Sequence, residues 1–112
     1  MDNGYKADLL RGNTDLLLLF LIRELTETYG YQLIKEVEKR SEGYFRFKEG
    51  TVYPALHKLE QAGLVRGIWK KHRGEQERKY YKITEKGEEV LARKLGMWED
   101  FSRAVGLIFG ST

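Results

Sequence analysis

The densest chemistry in the sequence is a run of cations. Between Lys70 and Lys79 stand Lys70, Lys71, Arg73, Arg78 and Lys79, offset by Glu75 and Glu77, for a local net charge of +3. The whole 112-residue chain carries a formal net charge of +3. The remainder is therefore formally neutral, and the excess sits in one ten-residue stretch. A cationic element so confined suits a polyanion, because Lys and Arg take phosphate oxygens and supply affinity and salt dependence with little sequence information. Lys70, Lys71, Arg73 and Arg78 are the expected phosphate contacts. A solvated charged turn, with Arg78 and Lys79 merely offsetting the two glutamates, is the plainer alternative.

A second stretch, "GTVYPALHKLEQAGL" from Gly50 to Leu64, presents a different chemistry. Val52, Leu56 and Leu59 share one helical face. Pro54 lies inside the run, where a proline normally costs about 3 kcal/mol. Counted from a cap at Gly50 or Thr51, it falls in the first turn, where its missing N–H has no intrahelical partner to lose. The opposite face carries Thr51, Tyr53, Pro54, His57 and Lys58, types that suit phosphates and base edges. Periodicity alone favours an ordinary solvated face; the neighbouring basic stretch tips the balance.

Other chemistries find little footing. There is no cysteine, so no disulfide framework, thiolate zinc site or cysteine nucleophile, which fits a reducing cytoplasm. His57 and His72 are the two histidines. Neither has the spacing of a metal-ligand set or a catalytic partner, so no catalytic residue, metal or cofactor is expected, and no enzyme. The apolar run "LLLLFLI", Leu16 to Ile22, is too short to span a bilayer and lacks a small-residue cleavage site after it. It reads as a buried helix, and no membrane partner is expected.

These residues need elements to hold them. Residues 1–12 read as a loose arm. A first helix is expected from an Asn13 or Thr14 cap to about Thr28, and a second from about Tyr31 to Arg40 with Leu33, Ile34 and Val37 inward. A turn over 41–50 leads into the proline-bearing helix. Two β-rich runs, about 64–71 and 78–83, flank the polar "HRGEQE" loop, with Gly74 available for a positive φ. Thr84 then caps a last helix over about 85–109. Along it Leu91, Trp98 and Val105 repeat every seven residues, Phe101 and Ile108 form a second register, and Leu95 lies with them. A second copy of the chain is the simplest cover for that stripe. Trp98 reads most plainly as a core or interface aromatic; the sharper alternative is a pair of Trp98 rings stacking on a flat ligand across a dimer axis.

The fold expected is mainly α with a small β-hairpin. Residues 1–84 form a winged helix-turn-helix with its arm, and residues 85–112 a long C-terminal dimerisation helix.

The sequence also resembles a known family. Tyr29-Gly30-Tyr31, Gly50-Thr51-Val52-Tyr53-Pro54, Leu59-Glu60 with Gly63-Leu64, Arg78-Lys79-Tyr80-Tyr81, and Thr84 with Gly87 closely resemble the PadR family of bacterial transcriptional regulators, from Arg11-Gly12 to about Trp98. The resemblance implies a homodimeric winged-helix repressor. Its third helix enters the major groove, its wing follows the backbone or minor groove, and its C-terminal helix makes the dimer. It also implies phosphate contacts from Tyr31, Gln32 and Lys35, and a planar aromatic ligand held by Trp98 at the dimer interface, as in some members of the smaller subgroup.

Together these readings give a cytoplasmic, DNA-binding transcriptional repressor that grips an inverted-repeat operator as a dimer and is released by a small effector. A winged-helix protein–protein module and a non-specific architectural DNA binder are the alternatives.

Overall fold

The structure, a computed structural model, describes residues 8–71, 74 and 76–110. The "LLLLFLI" run lies in the middle of it. Helix α1 (Thr14–Leu25) buries Leu16, Leu18, Leu19, Leu21 and Ile22, and it touches every other element except β1 in quantity. A helix apolar nearly all round needs cover on several sides, and here two helices, a strand and a long helix supply it. Asn13 stands at the N-cap, though its side chain makes no capping hydrogen bond. Before it, residues 8–10 form a helical turn, closed by an Arg11–Asp8 ion pair of 2.7 Å, so this part of the arm is not loose.

Helix α1 stops at Leu25, three residues short of the expected Thr28. Thr26 adopts φ 68°, a positive φ that is rare for a β-branched residue. Thr28 then exchanges both backbone groups with Tyr81, its N–H donating at 3.2 Å and its carbonyl accepting at 2.7 Å. Pairing with a distant strand outweighs one more helical turn.

Helix α2 (Gly30–Arg40) buries Leu33 and Val37, with Ile34 partly covered. Helix α3 (Glu49–Gln61) follows and buries Val52, Ala55, Leu56 and Leu59. Its N-cap is Lys48, so it begins earlier than a Gly50 or Thr51 cap would place it. Pro54 is its sixth residue and sits in the second turn, not the first. The proline is tolerated because it is exposed: the hydrogen bond it cannot give, to the Gly50 carbonyl four residues back, is missing on the outer side.

Strands β1 (Val65–Lys71) and β2 (Glu77–Ile83) form one antiparallel hairpin, with Val65 opposite Ile83 and Lys71 opposite Glu77. Gly74 takes φ +86° in the connecting loop. Helix α4 (Glu85–Phe109) starts at a Thr84 cap whose hydroxyl oxygen accepts from the Gly87 N–H at 3.0 Å, and stops at Gly110 in the left-handed conformation. The start of α4 is tied to the end of α3: Thr84 Oγ1 donates to the Gly63 carbonyl at 2.6 Å, and Lys86 Nζ to the Ala62 carbonyl at 2.9 Å. Three helices, a hairpin and a long helix make a mainly α winged helix-turn-helix. No helix among the described residues is long and apolar enough to cross a membrane.

Candidate nucleic-acid interface

The outer face of α3 is built by subtraction. With Val52, Ala55, Leu56 and Leu59 buried, Thr51, Tyr53, Pro54, His57 and Lys58 are left exposed, together with Glu49, Gly50 and Gln61 at the helix ends. Tyr53 is not free to swing inward. Its ring lies over Gly30 at the start of α2, so close that a Cβ on Gly30 would collide with it. Beside it on α2, Tyr31 and Lys35 are exposed and joined, the ammonium 5.2 Å from the ring centroid. Gln32 is half-buried, and its Oε1 accepts the Thr28 hydroxyl at 2.7 Å; the amide's NH₂ is thus the end turned away from Thr28.

The hairpin stands across a groove from this surface. The groove, of about 440 Å³, is walled by Tyr29, Tyr31 and Tyr53 on one side and by Trp69, Arg78 and Lys79 on the other. Arg78 holds its guanidinium 4.4 Å from the centroid of the Tyr29 ring, and Tyr29 meets Tyr80 edge-on at 5.2 Å. Lys70 is less available than its charge suggests: it pairs with Glu27 at 2.7 Å and lies 5.1 Å from the Tyr80 centroid. Lys71 is exposed. Arg73 lies outside the described residues. Tyr29 and Trp69 line the groove although spacing did not single them out; Tyr29 belongs to the "YGY" motif, and Trp69, 63% exposed, is an unusually open tryptophan for a strand.

One ion pair ties the hairpin to α3. Lys79 Nζ donates to Glu60 Oε1 at 2.8 Å, with its stem lying over Gly67. Tyr81 gives both its backbone groups to Thr28, so its cross-strand partner Gly67 turns its own N–H away from β2. A Cβ on Gly67 would strike the Lys79 side chain and come within 3.0 Å of Glu60 Oε2, so Lys79 would have to shift off its present path. The hydrogen bond from Lys79 holds the Glu60 carboxyl below the usual range, and Glu60 in turn holds the Lys79 ammonium above its own. Burial pushes the neighbouring Tyr81 phenol up.

On α4 the expected stripe divides in two. Leu91 is fully buried in the core of its own chain, so it has no surface to give a partner; its place in a dimer interface is corrected. Leu95 is partly buried against the same core. Beyond it the stripe emerges: Trp98 is 43% exposed, Phe101 62% and Ile108 82%, with Val105 between them half-covered. Trp98 lies 6.0 Å from Phe101, ring to ring, and borders an apolar cleft of about 330 Å³ with Leu16, Leu17, Phe20, Phe45 and Leu95. Among the described residues no group of His, Cys, Asp and Glu could hold a metal ion.

This architecture has known relatives. The chain is similar to a PadR family transcriptional regulator from Eggerthella lenta, 29% identical, with a TM-score of 0.81 over 97% of this chain and 92% of that one. A PadR-like transcriptional regulator from Bacillus cereus is 30% identical, with a TM-score of 0.78 over 91% of this chain and 96% of its own. Bacillus subtilis PadR, solved in complex with operator DNA, shares the fold at 24% identity and a TM-score of 0.68, over 77% of this chain and 48% of that one. The family model described as the transcriptional regulator PadR-like family matches residues 18–93. With more than half of its length matched, the chain belongs to the PadR-like family of transcriptional regulators.

Proposed function

We propose that this regulator binds an inverted-repeat operator as a homodimer and represses transcription until a small effector releases it. Residues 1–84 serve as the DNA-binding part and 85–112 as the dimerisation helix. The observation that carries the reading is the meeting of two surfaces at one groove: Tyr53, which shares the outer α3 face with Thr51, Pro54, His57 and Lys58, and Arg78 of the basic hairpin both line it, beside Glu49 and Glu77. A recognition helix in a major groove needs this neighbour, because base edges give discrimination while adjacent phosphates fix register. Tyr31, Gln32 and Lys35 extend the phosphate-facing surface. In a dimer the two α3 helices would lie about 34 Å apart along the duplex, one helical turn. The operator complex of Bacillus subtilis PadR lends support by analogy of fold.

The test is a salt titration on a duplex that the protein itself selects from a random-sequence pool. Affinity should fall linearly on log–log axes, and Lys71→Ala should flatten the slope by about one per lost phosphate contact, about two in a dimer. A salt-insensitive chain that selects no duplex would instead be a protein–protein module, and equal affinity for selected and random duplex would make it architectural.

The effector reading rests on the half-exposed Trp98 beside an apolar cleft. In a Trp69→Phe background, a flat aromatic dye should quench Trp98 fluorescence. Dye binding that survives Trp98→Ala would remove Trp98 from the effector site.

A further inference from the structure

The Glu60 carboxylate sits at the last turn of α3 and takes the Lys79 ammonium of β2 at 2.8 Å. The hairpin is tied at its base, where Thr84 and Leu64 join, and to the α1–α2 connection through Thr28 and Tyr81. A two-stranded sheet has little stiffness of its own, however, and neither of these ties reaches α3 itself. We propose that the Glu60–Lys79 pair forms a strut that sets the angle between wing and recognition helix, so that the wing cations and the α3 face meet the duplex in one register.

The geometry favours a strut over a phosphate contact for Lys79. Its ammonium is directed onto Glu60 at 2.8 Å, and both side chains are about 70% covered, at 29% and 30% exposure. A phosphate-binding lysine holds its ammonium in solvent; this one is folded back over a glycine. The raised proton affinity of Lys79 and the lowered one of Glu60 are consistent with a pair that is made, not merely near. Glu60 and Lys79 are positioning residues in this scheme and touch no DNA.

The proposal rests on the DNA-binding reading, and its test turns on a sign. Glu60→Gln removes a negative charge from a DNA-binding surface. Simple charge counting makes the variant bind DNA more tightly, with an equal or steeper salt slope. A strut makes it bind the selected duplex more weakly, roughly three- to tenfold, as expected for loss of one coupling between contacting residues. Lys79→Met, which keeps the aliphatic stem, should weaken binding similarly, and Lys79→Arg should restore it. The cost of Lys71→Ala should shrink in the Glu60→Gln background, since a wing already out of register has less to lose. Circular dichroism and thermal melts establish that each variant is folded. If Glu60→Gln does not fold, the Lys79→Met and Lys79→Arg pair carries the test, and equal affinities for those two overturn the strut. So does a folded Glu60→Gln protein that binds as tightly as wild type or tighter. A wild-type chain that selects no duplex removes the DNA-binding reading itself, a separate failure.

Discussion

Gly30 and Gly87 each stand where a Cβ would collide, but with neighbours of different kinds. At Gly30 the obstacle is the outer edge of the Tyr53 ring; at Gly87 it is the Leu64 backbone carbonyl, with the Ile83 side chain 2.7 Å away. A ring can rotate off, whereas a carbonyl inside a strand-to-helix junction cannot. Intrinsic helix propensity would make either Gly→Ala change stabilising by about 1 kcal/mol. Gly87→Ala should nevertheless lose about 2 kcal/mol, the scale of forced overpacking, while Gly30→Ala stays within about 1 kcal/mol of wild type and re-aims Tyr53 instead. Urea unfolding of the two variants checks this, and a Gly87→Ala midpoint equal to wild type would show that the junction yields. Neither collision was legible in the sequence. The "YGY" spacing marks Gly30 as part of a motif, but Tyr53 lies on another helix, and Glu60 and Lys79 are separated by 19 residues. Pairs of this kind become visible only when the packing that joins their elements is known.

At the scale of elements, what local rules control could be read and what tertiary pairing controls could not. Helix α4 runs from its Thr84 cap to Phe109 as expected, because the cap hydroxyl and the terminal glycine are local signals. The hairpin followed from β-rich runs around a glycine-bearing polar loop in the same way. The end of α1 did not: residues 26–28 read as helical, yet Thr28 is bound to Tyr81, more than fifty residues away. The start of α3 shows a subtler limit. A proline signals a helix start only when an unpaired first turn is its cheapest place, and Pro54 has a second option, an exposed position on the second turn. The outer face of α3 is unaffected by that shift, since burial of Val52, Ala55, Leu56 and Leu59 alone decides which residues remain outside. The exposed face of α3 could therefore be listed from the sequence, whereas the groove beside it, with Tyr29 and Trp69 in its walls, could not.

The whole molecule is longer than a self-sufficient domain needs to be. Its radius of gyration is 15.4 Å, against about 13 Å for a compact chain of this length, and its extents are 55 × 35 × 20 Å. The excess comes from α4, whose 25 residues span about 37 Å at 1.5 Å per residue and whose second half leaves the body with Phe101 and Ile108 open. An apolar stripe so exposed is costly in water at about 25 cal/mol per Å², and a second copy of the same helix offers a self-complementary cover. Two half-sites on one operator then make the second contact intramolecular, which adds about 100-fold or more to affinity without any new protein–DNA contact. The proposed dimer therefore predicts a joint loss. Replacing both Phe101 and Ile108 by Glu should leave a folded monomer by light scattering, because neither side chain supports the chain's own core. The same variant should bind the selected duplex about 100-fold more weakly, while its affinity for a single half-site stays that of one wild-type subunit. A double variant that remains dimeric, or a monomer that keeps full operator affinity, would separate α4 from the grip on DNA.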